Sequence, residues 1–255
     1  MVQSLQVEPL TWPEFLEWFG RKWEPGQHMA FVAPTGEGKT YVLAEVLRLR
    51  SFVLALDPKG GDTTLNTLTR HGFTRVTSWP WPAAIREQIG DGKPTRLIVG
   101  KFHPTSKELA AHKQLIAKSL DYAFDSSGDV MKRGKVVTRG GWTVAIDELQ
   151  VMADRRMMNL SAAVERHLIL ARDRKSSLLT AYQRPAWVPK SAAQMATWFV
   201  VMYTRDLDAI ADLAHNAGRS AAEMRGTISG LADLEHSLLV FSRAPRSPII
   251  VTRAD

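Results

Sequence analysis

Short runs of hydrophobic residues alternate with segments of helical spacing along most of the chain. Runs typical of buried strands occupy 28–33, 51–56, 96–100, 142–147, 177–182 and 197–202. Helical spacing is found at 41–50, near 63–71, from about 83, and at 105–124, 159–173, 206–216 and 220–232. This alternation predicts an α/β fold with a mostly parallel, doubly wound sheet.

The last part of the chain has a different pattern. Two apolar runs, HSLLVFSR at 236–243 and PIIVT at 248–252, flank the turn-forming residues APRS. Two strands joined by a short turn form a β-hairpin. We therefore expect the sheet to end in a C-terminal β-hairpin.

The first part of the chain predicts an aromatic helix. Thr11 is followed by Pro13 in the first turn and by Glu14 at capping-box spacing. The large apolar residues share one helical face: Trp12, Phe15, Leu16, Phe19 and Trp23. Such a face usually packs on its own domain, but it can also dock on a neighbouring subunit or stack on a base. We divide the chain into this N-terminal helix segment, 1–27, and a main domain, 28–255.

The composition is that of a chain with a large core. Of the 255 residues, 45% are hydrophobic, which suffices for one large α/β domain or for one domain with small additions.

The longest apolar run, 196–203, is too short to span a bilayer, and the N-terminus has no basic start before an apolar segment. The chain has no cysteine, which excludes disulfides, thiolate metal sites and cysteine nucleophiles. We expect a soluble, cytoplasmic protein without a membrane-spanning segment.

Positive charge predominates, because 33 Lys and Arg against 26 Asp and Glu give a net charge of +7. A basic balance favours a polyanionic partner, although solvated basic faces are common. The segment 125–141 concentrates cations in a glycine-rich loop or hairpin that contains Lys132, Arg133, Lys135 and Arg139. This segment is either a solvated connection or a contact with a phosphate backbone, and the sequence favours neither.

The string APTGEGKT has the spacing of a phosphate-binding loop between a strand and a helix. The predicted nucleotide-binding residues are Ala33, Pro34, Thr35, Gly36, Glu37, Gly38, Lys39 and Thr40. Glycines let successive backbone N–H groups point at phosphate oxygens, and the N-terminus of the following helix favours an anion. Lys39 would contact the β and γ phosphates, and Thr40 would ligate Mg²⁺. The strict motif begins with Gly, so the match with Ala33 is to the relaxed pattern.

An acidic pair follows the apolar run WTVAI. In a nucleotide hydrolase the first acid, here Asp147, holds the Mg²⁺ shell, and the second, Glu148, polarises the attacking water. An acidic pair at a strand end can instead cap a helix, but the phosphate loop makes the hydrolytic interpretation the stronger one. The long separation from Lys39 contains at least two candidate strands, which favours ATPases with an additional strand between the motifs and a catalytic glutamate. The chain has no guanine-reading NKxD string, so we expect ATP rather than GTP.

Two further candidates flank the predicted strand 177–182. Gln183 follows this strand, where an amide can donate to a γ-phosphate oxygen and accept from water. Arg172 closes the preceding helix, with Arg174 and Lys175 beside it. Cations at a helix C-terminus are favourable without any further role. Alternatively, Arg172 reaches the nucleotide of a neighbouring subunit as an arginine finger.

Four strings together resemble the HerA/FtsK superfamily of DNA-pumping ATPases. APTGEGKT is similar to the phosphate loop of the family, LALDPKG to its second-strand signature, VAIDELQVM to its acidic strand, and ARDRKSSLLTAYQRP to its most specific segment. The last string aligns Arg172 with the arginine of the family and Gln183 with its sensor glutamine. It departs from the family at Tyr182, where Thr is usual, and at Ser176 and Ser177, where an apolar or glycine pair is usual.

The resemblance extends from about residue 28 to 252 and implies a RecA-like P-loop NTPase fold that uses ATP and Mg²⁺. It implies Arg172 as a contact in trans, double-stranded DNA as the partner, and a homo-oligomeric ring that is generally a hexamer. In build the chain resembles the minimal genome-packaging ATPases of tectivirus-type phages. That role would add capsid or membrane proteins at a packaging vertex and make the protein virion-associated.

Other functions stay open at this stage. The chain is also compatible with a plasmid-transfer or host DNA pump of the same superfamily. A nucleotide-dependent scaffolding or regulatory ATPase that binds no DNA would have the same motifs, and its positive charge would be solvated surface. A component of a nuclease-associated repair complex is a weaker alternative.

Overall fold

The computed structural model describes residues 7–132, 135–139, 141–232, 234, 236–244 and 247–254. Its strands are β1 (Val7–Pro9), β2 (His28–Val32), β3 (Phe52–Leu56), β4 (Thr74–Val76), β5 (Thr95–Val99), β6 (Gly128–Lys132), β7 (Lys135–Arg139), β8 (Thr143–Ile146), β9 (Ser177–Tyr182), β10 (Ala196–Met202), β11 (Ser237–Ser242) and β12 (Ile249–Arg253). Its α-helices are α1 (Trp12–Lys22), α2 (Lys39–Leu47), α3 (Thr63–Thr67), α4 (Ala83–Gly90), α5 (Leu109–Ser126), α6 (Leu149–Ala153), α7 (Ser161–Leu170), α8 (Ser191–Gln194), α9 (Leu207–Ala217) and α10 (Ala221–Ser229). Short 3₁₀ helices lie at Leu68–His71 and Pro185–Trp187. None of these helices combines the length and the hydropathy that crossing a bilayer requires.

Ten of the described strands form one sheet in the order β1-β12-β11-β10-β2-β9-β8-β3-β5-β4. Neighbouring strands are parallel except around β11, which is antiparallel to both β10 and β12. The predicted α/β fold with a mostly parallel sheet is therefore confirmed. β11 and β12 follow each other in the chain, but residues 245 and 246 of the turn between them lie outside the described residues.

The sheet is buried on both faces because its central strands are apolar throughout. Every residue of β2 is buried, and its successive side chains enter different cores. Ala30 and Val32 pack in the core that α5, α7, α9 and α10 cover, whereas Met29 and Phe31 pack in the core that α1 and α2 cover. Strands buried on both faces are typical of parallel sheets between two helical layers.

The N-terminal segment packs onto this sheet. α1 follows Thr11, whose hydroxyl and backbone N–H donate to Glu14 Oε2 at 2.7 and 2.9 Å, as a capping box requires. Phe15 and Phe19 are fully buried, and Phe19 meets Trp198 of β10 edge to face. β1 extends the sheet beside β12. The aromatic face of α1 therefore belongs to the hydrophobic core of its own chain.

The structure differs from the sequence-based expectations in a few segments. The prediction omitted the short elements β1, β4, α6 and α8, which are too short to show a period of their own. Helix α5 begins at Leu109 rather than at residue 105. Thr105 does donate to Glu108 at 2.9 Å, but this contact closes a turn that precedes the helix.

The basic segment at 125–141 contains two antiparallel strands, β6 and β7, which form a separate two-stranded sheet. Its predicted cation Arg133 lies outside the described residues. This small sheet leads directly into β8, the strand that carries the acidic pair.

Candidate nucleotide-binding site

The phosphate-loop residues lie between β2 and α2, where the sequence predicts them. Ala33 is buried, and its N–H donates to the Tyr182 carbonyl of β9 at 3.3 Å. Gly36 and Gly38 have φ of 92° and 84°, a region that side chains disfavour. Lys39 is the first residue of α2, so the free N–H groups of this helix are directed toward the loop. The segment therefore has the geometry of a phosphate-binding loop.

Lys39, Thr40 and Asp147 form one hydrogen-bonded group although they come from distant parts of the chain. Lys39 Nζ lies 3.2 Å from Asp147 Oδ1, and Thr40 Oγ1 donates to Asp147 Oδ2 at 2.8 Å. The Lys39 and Asp147 side chains are only 8% and 4% exposed. Buried charges need close partners because they have lost their hydration. The phosphate loop and the acidic end of β8 therefore belong to one site.

The chemistry of this group fits a magnesium ion. Mg²⁺ prefers oxygen ligands and is usually bound by one or two protein groups together with substrate phosphates. Thr40 and Asp147 supply a hydroxyl and a carboxylate that already lie within hydrogen-bond distance of each other. These two residues are therefore the ones that would hold the ion beside the phosphates.

Glu148 follows Asp147 in an unusual backbone conformation. Its φ and ψ are 63° and 66°, in the left-handed region, and α6 begins at the next residue. This conformation costs a non-glycine residue about 1–2 kcal/mol, and such residues cluster at functional sites. The Glu148 carboxylate forms an ion pair with Nζ of Lys59, in the loop that follows β3.

The loop after β3 is fixed by a buried carboxylate. Asp57, which is 1% exposed, accepts hydrogen bonds from the N–H groups of Gly60 and Gly61, each at 3.0 Å. Its Oδ2 also pairs with Arg75 Nη1 of β4 at 3.0 Å. Lys59 lies within this closed turn, so its backbone has a defined place. The sequence marked LDPKG as a signature but gave no contact for Lys59.

Asp62 is an acid of this region that the sequence did not single out. It is the N-cap of α3 and accepts from Leu65 N at 2.8 Å, and its carboxyl lies close to that of Asp147. Burial raises the pKa of Asp62, and the charges of Asp147 and Asp57 raise it further. A pocket of about 250 Å³ lies between Asp62, Glu148 and the loop after β3.

Gln183 lies at the same edge of the sheet as the phosphate loop. It follows β9, which is parallel to β2 on one side and to β8 on the other. Tyr182, the last residue of β9, is aligned with Val32, the last residue of β2. The side chain of Gln183 is half-buried. One strand thus separates the two motif strands, and the predicted sensor residue is at its end.

Arg172 lies at the opposite edge of the sheet. It precedes β9, whereas Gln183 follows it, and the six residues of this strand span roughly 20 Å. The Arg172 side chain is exposed, and no hydrogen bond or ion pair engages it in the part of the chain that the structure describes. Arg174, in contrast, donates to Phe124 O at 3.3 Å and stacks on the Phe124 ring. Arg172 is therefore remote from the nucleotide site of its own chain.

Two buried histidines fix the end of α7 against the sheet. His28 Nδ1 accepts from Leu178 N, so its Nε2 donates to Leu168 O, both at 3.0 Å. His167 Nε2 lies 2.8 Å from Ser176 Oγ. Burial lowers the pKa of His28 to about 4 and the pKa of His167 to about 3. Both rings are therefore neutral at physiological pH, and the turn that carries the exposed arginine is held in place.

A groove of about 810 Å³ lies beside the site. We call it the α6 groove, because its walls are α6 with the loop behind it and the segment that follows Gln183. Met157 and Trp187 are each 55% exposed there, and Asp154 and Arg155 line the groove with opposite charges.

The fold and the site define a class of protein. A mostly parallel sheet carries a glycine loop that opens a helix, and an acidic strand end contacts that loop. This arrangement is that of the P-loop NTPases. No family model and no curated protein sequence matches the chain.

Solved structures supply the particular neighbours. The fold is similar to that of the genome packaging NTPase B204 from Sulfolobus turreted icosahedral virus 2, with a TM-score of 0.55 and 15% identity over 91% of this chain and 98% of that chain. The pCW3 conjugation coupling protein TcpA gives a TM-score of 0.51 and 16% identity over 88% of this chain and 59% of that chain. VirB4 of Thermoanaerobacter pseudethanolicus gives a TM-score of 0.53 and 9% identity over 90% of this chain and 89% of that chain. These neighbours confirm, at the level of the fold, the HerA/FtsK resemblance that the sequence strings carry.

Proposed function

We propose that this chain is an ATP-hydrolysing double-stranded DNA translocase, of the kind that packages a genome. The observation that carries the proposal is the hydrogen-bonded group of Lys39, Thr40 and Asp147, which joins a phosphate loop to an acidic strand end. The fold adds support, because its neighbours include a genome packaging NTPase solved with ATP-gammaS and a conjugation coupling protein. For this chain, those neighbours favour a motor ATPase.

The phosphates of ATP would lie in the loop between β2 and α2. Backbone N–H groups around Gly36 and Gly38 donate to phosphate oxygens there. Lys39 turns its ammonium from Asp147 to the β and γ phosphates. Thr40 and Asp147 would hold Mg²⁺, which would neutralise charge on the phosphate oxygens.

Glu148 is the proposed general base for the attacking water. A carboxylate accepts a proton from water in hydrogen-bond reach, and this transfer makes the water oxygen a better nucleophile. Gln183 is the proposed γ-phosphate sensor, because its amide can donate to phosphate and accept from water. The strand order β2-β9-β8 supports these two roles, because Gln183 follows the strand that lies between the strand before the phosphate loop and the strand before Glu148.

Arg172 is the proposed trans contact in a homo-oligomeric ring. Its exposed side chain lies at the edge of the sheet opposite the phosphate loop, so it cannot serve the nucleotide of its own chain. A neighbouring subunit can bring such an edge against the phosphates, where an arginine stabilises the charge of the transition state. A hexamer is the ring that the resemblance favours.

Duplex DNA is the partner that the charge favours. The chain has a net charge of +7, and phosphate contacts supply much of the affinity of proteins for DNA. The α6 groove is a candidate contact surface, where Arg155 lies next to Asp154 in the chain. Its walls begin at Gln150 and Ala186, so a rearrangement of Glu148 or Gln183 at the γ-phosphate would reach this surface through short segments.

A plasmid-transfer pump is a second candidate, since a conjugation coupling protein and VirB4 share the fold. The chemistry of the site is the same in both roles. The genes beside the coding sequence distinguish them: a capsid gene favours packaging, and a relaxase gene favours transfer.

Replacement of the proposed base tests the hydrolytic site. Glu148→Gln should bind ATP within about twofold of the parent and hydrolyse it about 10² to 10⁴ times more slowly, because a general base contributes about that factor. Fluorescent-nucleotide titration and steady-state phosphate release measure the two quantities. Glu87→Gln, which changes an exposed glutamate of α4, is the matched control and should retain full activity. Near-normal hydrolysis by Glu148→Gln would remove Glu148 from the mechanism.

A further inference from the structure

Lys59 holds the carboxylate that the proposed mechanism needs. Its Nζ forms an ion pair with Glu148 Oε2, the one polar contact of the Glu148 side chain among the residues that the structure describes. We propose that Lys59 is an inhibitory positioning residue, which restrains Glu148 in the resting site and must release it before ATP is hydrolysed. This inference rests on the proposed function and adds a form of regulation to the same site.

The order of the strands shows which way the ion pair draws Glu148. β8, which carries Glu148, lies between β9 and β3. Gln183 follows β9, on the side of the phosphate loop, whereas Lys59 follows β3, on the other side. The pair therefore draws the carboxylate toward β3 and away from the edge where sensor and phosphates meet. A base in this position is withdrawn from the water that it has to activate.

The chemistry of hydrolysis requires a free carboxylate oxygen. A water proton passes to a Glu148 oxygen while the water oxygen forms a bond to the γ-phosphorus. The bond between the γ-phosphorus and the bridging oxygen breaks, and its electron pair leaves with ADP. The ion pair holds Oε2 of Glu148 on the side of β3, away from the position of that water. Rotation of the carboxylate toward the water therefore requires release of Lys59.

The backbone of the loop after β3 is held in place, whereas the side chain of Lys59 can move. Pro58 O accepts from Nε2 of the buried His112 at 3.1 Å. At Gly60, with φ of 68°, an added Cβ would come within 2.4 Å of Lys101 O, so the loop is packed closely against its neighbours. The Lys59 side chain is nonetheless 56% exposed, against 19% for Glu148. Lys59 can thus leave Glu148 by rotating its side chain without any movement of the loop.

If Lys59 supported Glu148 rather than restraining it, replacement of Lys59 would change the rate of hydrolysis in the opposite direction. If Lys59 instead held Glu148 in its working position, loss of the ammonium would slow hydrolysis. An ion pair with an exposed partner is weak, so its removal frees the base without unfolding the site. The direction of the change in kcat therefore distinguishes a Lys59 that restrains Glu148 from one that supports it.

The test is steady-state ATP hydrolysis without DNA by the full chain and its Lys59 variants. Lys59→Met should raise kcat by about two- to fivefold, the range that a weak ion pair allows, and leave KM for ATP unchanged. Lys59→Arg keeps the charge and should retain the parent rate. Lys93→Met removes the exposed pair with Asp91 and is the matched control, with no change expected. Lys59→Gln gives a second neutral variant, and thermal unfolding confirms that each protein is folded.

The outcomes separate this inference from the function on which it rests. A lower or unchanged kcat in both Lys59→Met and Lys59→Gln, with Glu148→Gln inactive and the parent active, overturns the restraint while the ATPase assignment stands. A parent without any hydrolysis overturns the proposed function and the restraint together. A rise in kcat that Lys59→Arg shares would show that the charge is not responsible, and this result also counts against the inference.

Discussion

Individual buried charges at the nucleotide edge depend on their partners. Asp57 and Arg75 have side chains that are 1% and 13% exposed, and they form an ion pair at 3.0 Å. Removing one partner of a buried pair leaves the other charge buried without a partner. This lowers the free energy of unfolding by more than the intact pair contributes to it. The pair of Lys93 and Asp91 is a useful contrast, because its side chains are 66% and 60% exposed.

Arg75→Met should therefore lower the free energy of unfolding by about 3 kcal/mol, because Asp57 is left as an uncompensated buried carboxylate. The control Lys93→Met should lower it by less than about 1 kcal/mol, as for other surface pairs. Urea unfolding of both variants and the parent measures the difference. Equal and small losses would show that the backbone N–H groups around Asp57 stabilise it sufficiently on their own.

Residues with a fixed motif spacing could be predicted from the sequence, and residues defined by contacts between strands could not. Lys39, Thr40 and Asp147 follow from the chemistry of a phosphate loop, and the structure brings them into contact. Asp62 has the local pattern of an ordinary helix cap, which gives no sign that it lies close to Asp147. The ion pair of Lys59 exists only because β3 and β8 are neighbours in the sheet.

At the scale of elements, burial decided which strands could be predicted. β9 spans the predicted residues 177–182 because all of its residues are buried and apolar or small. β4 has three residues, and its partner β5 rather than its own pattern makes it a strand. α6 starts from the left-handed residue Glu148 without a side-chain cap, so the usual helix start signals do not mark it.

The end of α7 gives a prediction about neighbouring subunits. Rings assembled from a mixture of Arg172→Ala and Glu148→Gln subunits should hydrolyse ATP faster than rings of either variant alone. An interface between the two variants can combine the intact Glu148 of one subunit with the intact Arg172 of the next. Phosphate release by the mixtures measures this recovery.

Arg174→Ala is the matched control for that experiment. Its guanidinium contacts Phe124 of the same chain, so this variant alone should keep most of the parent activity. No recovery in rings shown to contain both variants would contradict the assignment of Arg172. Loss of activity in Arg174→Ala rather than in Arg172→Ala would transfer the role to the neighbouring arginine.

At the scale of the whole molecule, the sequence predicted the class of the fold but not its full strand order. Alternating strands and helices indicate a parallel sheet, and the structure has one. The pairing of β1 with β12 joins segments from the two ends of the chain, and no local pattern could indicate it. The order of β2, β9 and β8 is equally non-local, yet it determines how the proposed base, the proposed sensor and the predicted phosphate loop meet.

The salt dependence of hydrolysis, rather than the net charge, distinguishes a DNA motor from a scaffolding ATPase. A net charge of +7 is compatible with a DNA surface and with solvated lysines and arginines. Binding to DNA phosphates releases counterions, so it weakens steeply as salt rises from about 50 to about 200 mM. A solvated basic surface has no such consequence for hydrolysis.

The most direct test of the motor assignment is ATP hydrolysis with and without long duplex DNA, at several salt concentrations, on protein of known oligomeric mass. We expect DNA to raise the rate of a ring-sized assembly and the stimulation to fall steeply with salt. A rate that is indifferent to DNA at every salt concentration would contradict the account and favour a scaffolding or regulatory ATPase.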